Sequence, residues 1–267
     1  MMYSRSRLAR KYLHYYLTAS NGRGHGIHSP FVYELVRRVL NDAENYPAYS
    51  RIAALRRQLE KNPAMLEIED LGAGSSMNAT RQRSVADLAK HAAKSRRLGQ
   101  LLFRIAHYYK PRTILELGTS LGLSAAYLAS GAEGAKVFSI EGSAAVAAEA
   151  GKNFRTLGLG NIEQIVGDFD LTLAGALNRI GGTLDLAFID GNHRLEPTLR
   201  YFNSLLGHLS SSSVLVFDDI HWSEEMEQAW EKIKEHPRTM MTVDLFFVGL
   251  VFFREEFKTK QHFTIRF

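Results

Sequence analysis

The chain has 267 residues, no cysteine and a formal net charge of +5. That length suits one large α/β domain with an appendage, and the missing cysteines exclude disulfides and thiolate metal sites, leaving oxygen and imidazole for any metal. No apolar run reaches the roughly 18 residues of a membrane span, and the opening MMYSRSRLARKYLHYY has no apolar signal-peptide core, so a soluble, cytoplasmic chain is expected.

The net charge conceals an asymmetry. Residues 1–114 carry 20 Lys and Arg against 8 Asp and Glu, whereas residues 115–267 carry 13 against 20. A basic lobe of this kind can attract nucleic acid, an anionic substrate or a membrane surface. It can equally be a solvated helical face, or one that docks on the acidic half of a neighbouring subunit.

Residues 3–18 are expected to be helical, with Leu8, Tyr12 and Tyr15/Tyr16 at helical spacing between basic residues. Three glycines in Asn21–Gly26 break that helix. Ser29-Pro30 starts the next, Phe31 to Leu40, with Ser as N-cap and Pro at the first helical position. A third spans Ala48 to Glu60. Ile68 to Ser76 (IEDLGAGSS) imitates a strand and glycine loop, but no strong apolar strand precedes it and no βαβ unit follows, so it is expected to be a linker. Helices from Ser84 to His91 and Ser95 to Tyr109 come next. The boundary predicted from this pass divides a basic helical lobe and linker, 1–83, serving as a lid or dimerisation element, from a catalytic domain, 84–267.

Five strand candidates then alternate with helices: 113–117, 136–141, 162–166, 184–190 and 213–218. Alternation of this kind predicts a parallel sheet joined by right-handed crossovers. The tail differs. Thr242–Phe253 and His262–Phe267 are aromatic-rich and separated by a short charged turn, so they are expected to pair antiparallel. The fold class is therefore α/β, a doubly wound, mostly parallel seven-stranded sheet with a C-terminal antiparallel hairpin and an N-terminal helical lobe.

Residues 113–128 (TILELGTSLGLSAAYL) read as a buried strand, a glycine turn and a helix, and the following strand ends in Glu141. This is the wiring of a nucleotide-binding α/β half, with the acid placed to accept from ribose hydroxyls. A dinucleotide fingerprint needs G-x-G-x-x-G, whereas here Gly118 and Gly122 stand four apart with Ser120 between them. A ligand with ribose and adenine but no pyrophosphate fits better, and S-adenosylmethionine is the common one.

The runs ILELGTSLGLS, VFSIEGS, VGDFD, LDLAFIDGNH and VLVFDDIHW, in that order, resemble the class I S-adenosylmethionine-dependent methyltransferases. Among them the chain is similar to the metal-dependent O-methyltransferases of the catechol and caffeoyl-CoA type, over roughly residues 84 to 267. The resemblance implies that Glu116 and Ser124 lie near the methionine part of the cofactor. It also implies that Asp168 accepts from the adenine amino group and that Phe169 flanks the base. Thr119, Ser120 and Gly142 complete the cofactor loops, and Asp190 borders them.

Ligands of an open parallel sheet sit beyond the carboxyl ends of the strands. Asp190 follows the fourth strand and Asp218-Asp219 end the fifth, so three carboxylates are expected to converge on a hard cation, Mg²⁺ first and Mn²⁺ or Ca²⁺ behind it. The catechol-type family has Asp-Asn where this chain has Asp-Asp. Where that family carries a lysine base, three residues after the strand-four aspartate, this chain has His193. The imidazole is a candidate general base, a further metal ligand or a loop histidine bonded to backbone. His221 and Trp222 are expected near the mouth of the site, with Asp244, Phe246 and Phe247 shaping the pocket. Together these readings imply a Mg²⁺-dependent O-methyltransferase of a small hydroxylated molecule, expected as a homodimer. The alternative is an RNA methyltransferase whose basic N-terminal half, with Tyr3, Tyr12, Tyr15 and Tyr16, holds phosphates and stacks bases.

Overall fold

Among the described residues six helices begin at a serine whose hydroxyl accepts the backbone N–H three residues on: Ser4, Ser29, Ser84, Ser95, Ser143 and Ser223. Each cap satisfies a donor that the helix itself leaves orphaned. The computed structural model describes residues 2–24, 28–69 and 80–267. Among them no helix is long and apolar enough to cross a membrane. The fold is α/β with mostly parallel strands and an antiparallel C-terminal segment.

The chain divides into two compact units, residues 43–181 and residues 1–42 with 182–267. This division cuts across the boundary expected between 83 and 84. Burial explains the difference. In the first unit α3 (Pro47–Leu59) and α4 (Val85–His91) lay Tyr49, Ile52, Leu55 and Leu88 into one core with Leu121, Leu123 and Tyr127. The opening helix α1 (Arg5–Thr18) instead belongs to the second unit, where Tyr15 and Ala19 pack with Phe246 and Ser20 bridges Ile265.

Unit 43–181 holds a short antiparallel pair, β1 (Met65–Glu69) with β2 (Thr80–Ser84). The expected linker therefore begins inside a strand, and residues 70–76 of it lie outside the described residues. The physical reason is alternation, since Leu66 and Ile68 pack on the core cluster at a period of two. After α5 (Arg96–Tyr109) come β3 (Thr113–Leu117), α6 (Leu123–Gly131), β4 (Lys136–Glu141), α7 (Ala144–Leu157), β5 (Ile162–Val166) and α8 (Phe169–Ile180). β3, β4 and β5 run parallel, as the alternating pattern predicts.

In the other unit, α1 is followed by α2 (Pro30–Leu35), which continues as a π-helical turn, Val36–Leu40. The carboxyl-terminal part contains β6 (Leu186–Ile189), α9 (Leu195–Leu206), β7 (Val214–Asp218), α10 (Glu224–Glu235), β8 (Met241–Asp244), β9 (Val248–Phe252) and β10 (Gln261–Thr264). Their strand order is β6-β7-β9-β8-β10. The expected C-terminal hairpin is corrected here. Thr242–Phe253 is two strands, β8 and β9, paired antiparallel with each other, and the last strand β10 runs parallel to β8. The break falls at Phe246, whose left-handed backbone (φ 71°) turns the chain. Among the described residues, and apart from the β1–β2 pair, the two units hold three and five strands, one more in all than the seven expected.

Candidate functional site

In unit 43–181 the loop after β3 is tied down on several sides. The N–H groups of Gly118 and Thr119 both donate to the carbonyl of Ile140, at 3.0 and 3.2 Å. Below them runs a buried chain of polar groups: the Thr119 and Ser139 hydroxyls meet at 2.5 Å, and Ser139 donates to Glu116 at 2.5 Å. Glu116 is 0% exposed. Its carboxylate holds the loop from beneath, and Ser139, which the sequence did not flag, joins it. Gly122 has φ 81° and caps α6, and a Cβ there would lie 2.5 Å from the Phe154 ring. Only glycine meets both demands. Asn153 adds a hydrogen bond to the Leu121 carbonyl, 2.9 Å.

Glu141 closes this arrangement. Its carboxylate accepts the N–H of Ser120 at 2.8 Å and of Ser143 at 3.0 Å. Ser120 adopts φ 48° to present its N–H there, so the residue standing where a dinucleotide fingerprint has glycine takes a glycine-like conformation. Gly142 is half-buried beside it, and Ser124 is buried in the first turn of α6. Asp168 is the N-cap of α8 and accepts from Asp170 N–H at 2.7 Å, with Phe169 half-buried as the first helical residue.

Unit 1–42 with 182–267 carries the acidic cluster. Asp190 and His193 follow β6, and Asp218 ends β7, the parallel neighbour of β6, at 2% exposed. One ligand atom from each lies within 4.8 Å of the others. His193 Nε2 is 3.5 Å from Asp190 Oδ1. Asn192, at φ 64°, turns the loop and donates its amide to the Tyr201 hydroxyl at 2.9 Å. Two carboxylates and an imidazole with no sulfur form a donor set suited to a hard divalent cation. Asp219, expected as the third carboxylate, is not in the group. Its backbone is left-handed (φ 54°) and its N–H donates to the Phe247 carbonyl at 2.6 Å. Adjacent residues in and just after a strand point to opposite sides, so an Asp-Asp pair supplies one ligand more readily than two.

Residues 115–220 match the Methyltransf_24 family model, a methyltransferase domain. Over these residues the chain carries a methyltransferase domain, and it resembles the class I, S-adenosylmethionine-dependent methyltransferases. Its fold is shared with cofactor-bound Rv0187 from MTB, at 22% identity and TM-score 0.57, over 80% of this chain and 93% of that one. It is shared also with the SAH-bound methyltransferase PaMTH1 of Podospora anserina, at 16% identity and TM-score 0.59, over 96% and 98% of the two chains. A third similar structure is the O-methyltransferase TomG from Streptomyces achromogenes in complex with SAM, at 20% identity and TM-score 0.55, over 82% and 95%. None of the curated proteins matches the sequence.

The chain has a further cluster in the same unit as its acidic group. His221 is held between two carboxylates, Nδ1 to Glu227 at 2.9 Å and Nε2 to Asp244 at 2.7 Å. A carboxylate only accepts, so both ring nitrogens must carry protons and the ring is an imidazolium. Burial works against that charge, but the hydrogen bonds and charges of Asp244 and then Glu227 hold its pKa above the ordinary histidine value. For Glu227 burial also opposes ionisation, and donation from Tyr3, Lys11 and His221 keeps its pKa low. Tyr3 donates to Glu227 at 2.6 Å, and its own pKa is pushed up to about 12 by burial and by that bond. The expected aromatics divide: Phe246 is buried and stacks near His221, at 5.2 Å between ring centres, while Trp222 and Phe247 are 37% and 48% exposed. Lys11 and Glu227 were not singled out as site residues by the sequence, and Tyr3 was named only as a base-stacking residue of the RNA alternative. Glu227 lies on α10, one turn past Ser223, and nothing local marks it as a partner of residues 216 and 224 positions away.

Proposed function

We propose that this methyltransferase moves the methyl group of S-adenosylmethionine onto a hydroxyl oxygen of a small molecule, with Mg²⁺ held by Asp190, His193 and Asp218. The observation that carries the reading is the convergence of those three ligand atoms within 4.8 Å at the carboxyl ends of neighbouring parallel strands. His193 joins the carboxylates as a ligand in this reading, in place of Asp219. A divalent cation held there would lower the pKa of a coordinated hydroxyl.

The chain's own groups do the remaining work. Glu141, oriented by the Ser120 and Ser143 amides, accepts the ribose hydroxyls. Asp168 and Phe169 border the adenine, and Ser124 receives the methionine carboxylate at the start of α6. Gly118, Thr119 and Gly122 let the backbone pass close under the cofactor. Support for an oxygen acceptor comes from the donor set, since a hydroxyl needs help to ionise near pH 7 and a hard cation supplies it.

The test follows label from methyl-radiolabelled S-adenosylmethionine into the small-molecule and RNA pools of a cell extract, with EDTA-treated protein and added Mg²⁺. Label in the small-molecule pool, restored by Mg²⁺ and lost in Asp190→Ala with cofactor binding retained, is the expected result. Full metal-dependent turnover by Asp190→Ala, or label confined to RNA, overturns the reading.

A further inference from the structure

A cavity of about 740 Å³ lies beside α1, within the unit formed by residues 1–42 and 182–267. Its volume is in the usual range for small-molecule sites. One wall is a single face of α1, with Arg7, Arg10, Lys11 and His14 at spacings of three, four and seven residues. The facing wall holds His221, Glu227 and Asp244, with Phe246 as an apolar patch.

The two acids in the lining are already matched with donors. Glu227 accepts from the Tyr3 hydroxyl at 2.6 Å, from Lys11 at 2.9 and 3.0 Å, and from His221 at 2.9 Å. Asp244 accepts from His221 at 2.7 Å and from the Phe246 N–H at 2.8 Å. The arginines are different. The Arg7 guanidinium lies over the Tyr3 ring at 4.0 Å, and among the described residues neither Arg7 nor Arg10 has a carboxylate partner. The cavity therefore presents two exposed guanidiniums above a network whose own acids are satisfied. Guanidinium forks bind phosphate and carboxylate oxygens two at a time.

The placement adds a second argument. Asp218 ends β7 and Asp244 ends β8, with β9 between them, and the registers set both at the same end of the strands. Two strand spacings separate them, about 10 Å. His221 stands three residues beyond Asp218. An acceptor of ordinary metabolite size can reach from the acidic cluster to the basic wall.

We infer that this cavity is an oxyanion site, where Arg7 and Arg10 take the phosphate or carboxylate end of a small molecule. On the functional reading above, which the second half of this inference rests on, that molecule is the methyl acceptor. The role also gives the basic α1 a use that the cofactor motifs leave unexplained.

Binding is measured by titration calorimetry on the full chain without S-adenosylmethionine or metal, so the outcome is independent of methyl transfer. The probes are inorganic pyrophosphate, malonate and a pooled RNA. The expected result is saturable binding of pyrophosphate or malonate, weakened at least tenfold in Arg7→Ala/Arg10→Ala and falling with added salt. Preference between the two probes tells phosphate from carboxylate. The control Lys152→Ala/Arg179→Ala removes the same charge from exposed side chains elsewhere and should bind as wild type. Arg7 and Arg10 are exposed, so an unchanged melting temperature is expected to show that the double variant folds. Absence of saturable binding by both small anions overturns the site, as does equal weakening in the control. RNA binding that depends on Arg7 and Arg10 while neither small anion binds replaces it with a nucleic-acid surface.

Discussion

Four non-glycine residues with left-handed backbones, Ser120, Asn192, Asp219 and Phe246, each sit in the loop just after a strand. Such conformations cost roughly 1 kcal/mol or more and persist only where surroundings over-determine them. Here they aim Ser120 N–H at Glu141, turn the loop between Asp190 and His193, and cap the Asp244 carboxylate. Gly122 is the complementary case, and Gly122→Ala should lower stability by about 2–3 kcal/mol from backbone strain and the clash with Phe154, read by denaturant unfolding, with weaker cofactor binding. Glu141→Gln should weaken S-adenosylmethionine binding at least tenfold, in line with the ~1.5–3 kcal/mol of a charged hydrogen bond, and should lower the melting temperature as well, since glutamine has one acceptor oxygen for the Ser120 and Ser143 amides. The His221 cluster gives a pH prediction. His221 has a raised pKa, so its stabilisation is complete below 6.5 and is lost as pH rises through the folded value. Glu227 has a lowered pKa, so its share is complete above 4.5 and is lost as pH falls through its folded value. The gap in melting temperature between wild type and His221→Ala should therefore be widest between those limits and narrow in alkaline buffer. A gap independent of pH would count against the charged pair of contacts.

At the scale of elements, the strands with continuous apolar runs were legible. Thr113–Leu117 and Lys136–Glu141 appear with the predicted ends, because strands buried on both faces are written as near-continuous apolar runs, and Ile162–Val166 keeps its predicted ends although it is only half-buried. The C-terminal segment was harder. Aromatic density in Thr242–Phe253 marked it as β, but the turn inside it is made by Phe246, a residue that carries no local turn signal. What selects that turn is tertiary: the ring is buried edge-on to Tyr12 at 5.1 Å and against Tyr15 at 5.2 Å. Phe246→Ala should cost about 2–4 kcal/mol, the loss of a buried aromatic less some relief of strain, and it should also disturb His221 and loosen α1. Protection of α1 amides from hydrogen exchange is the measurement, and unchanged protection would show that the ring does not anchor the helix.

At the scale of the whole molecule, a bound cation should reveal itself without any acceptor. An ion held by the native state alone stabilises it by about 2.7 kcal/mol at a hundred times its dissociation constant. Mg²⁺ should therefore raise the melting temperature of the wild type, and the rise should vanish in Asp190→Asn and Asp218→Asn while surviving in Asp219→Asn. Loss in the Asp219 variant as well would return that residue to the ligand set. The sequence by itself determined the α/β class, the glycine turn with Glu141 beyond it, and the candidacy of Asp190, His193, Asp218 and Asp219, because glycine turns, strand ends and hard-ligand chemistry are all written locally. The tertiary structure alone showed that Asp190, His193 and Asp218 cluster without Asp219, that the chain parts into units of discontinuous sequence, and that Tyr3 and Lys11 share a carboxylate with His221. Those facts depend on which side of a strand a residue faces and on contacts across more than two hundred positions, and neither leaves a mark in any short window of sequence.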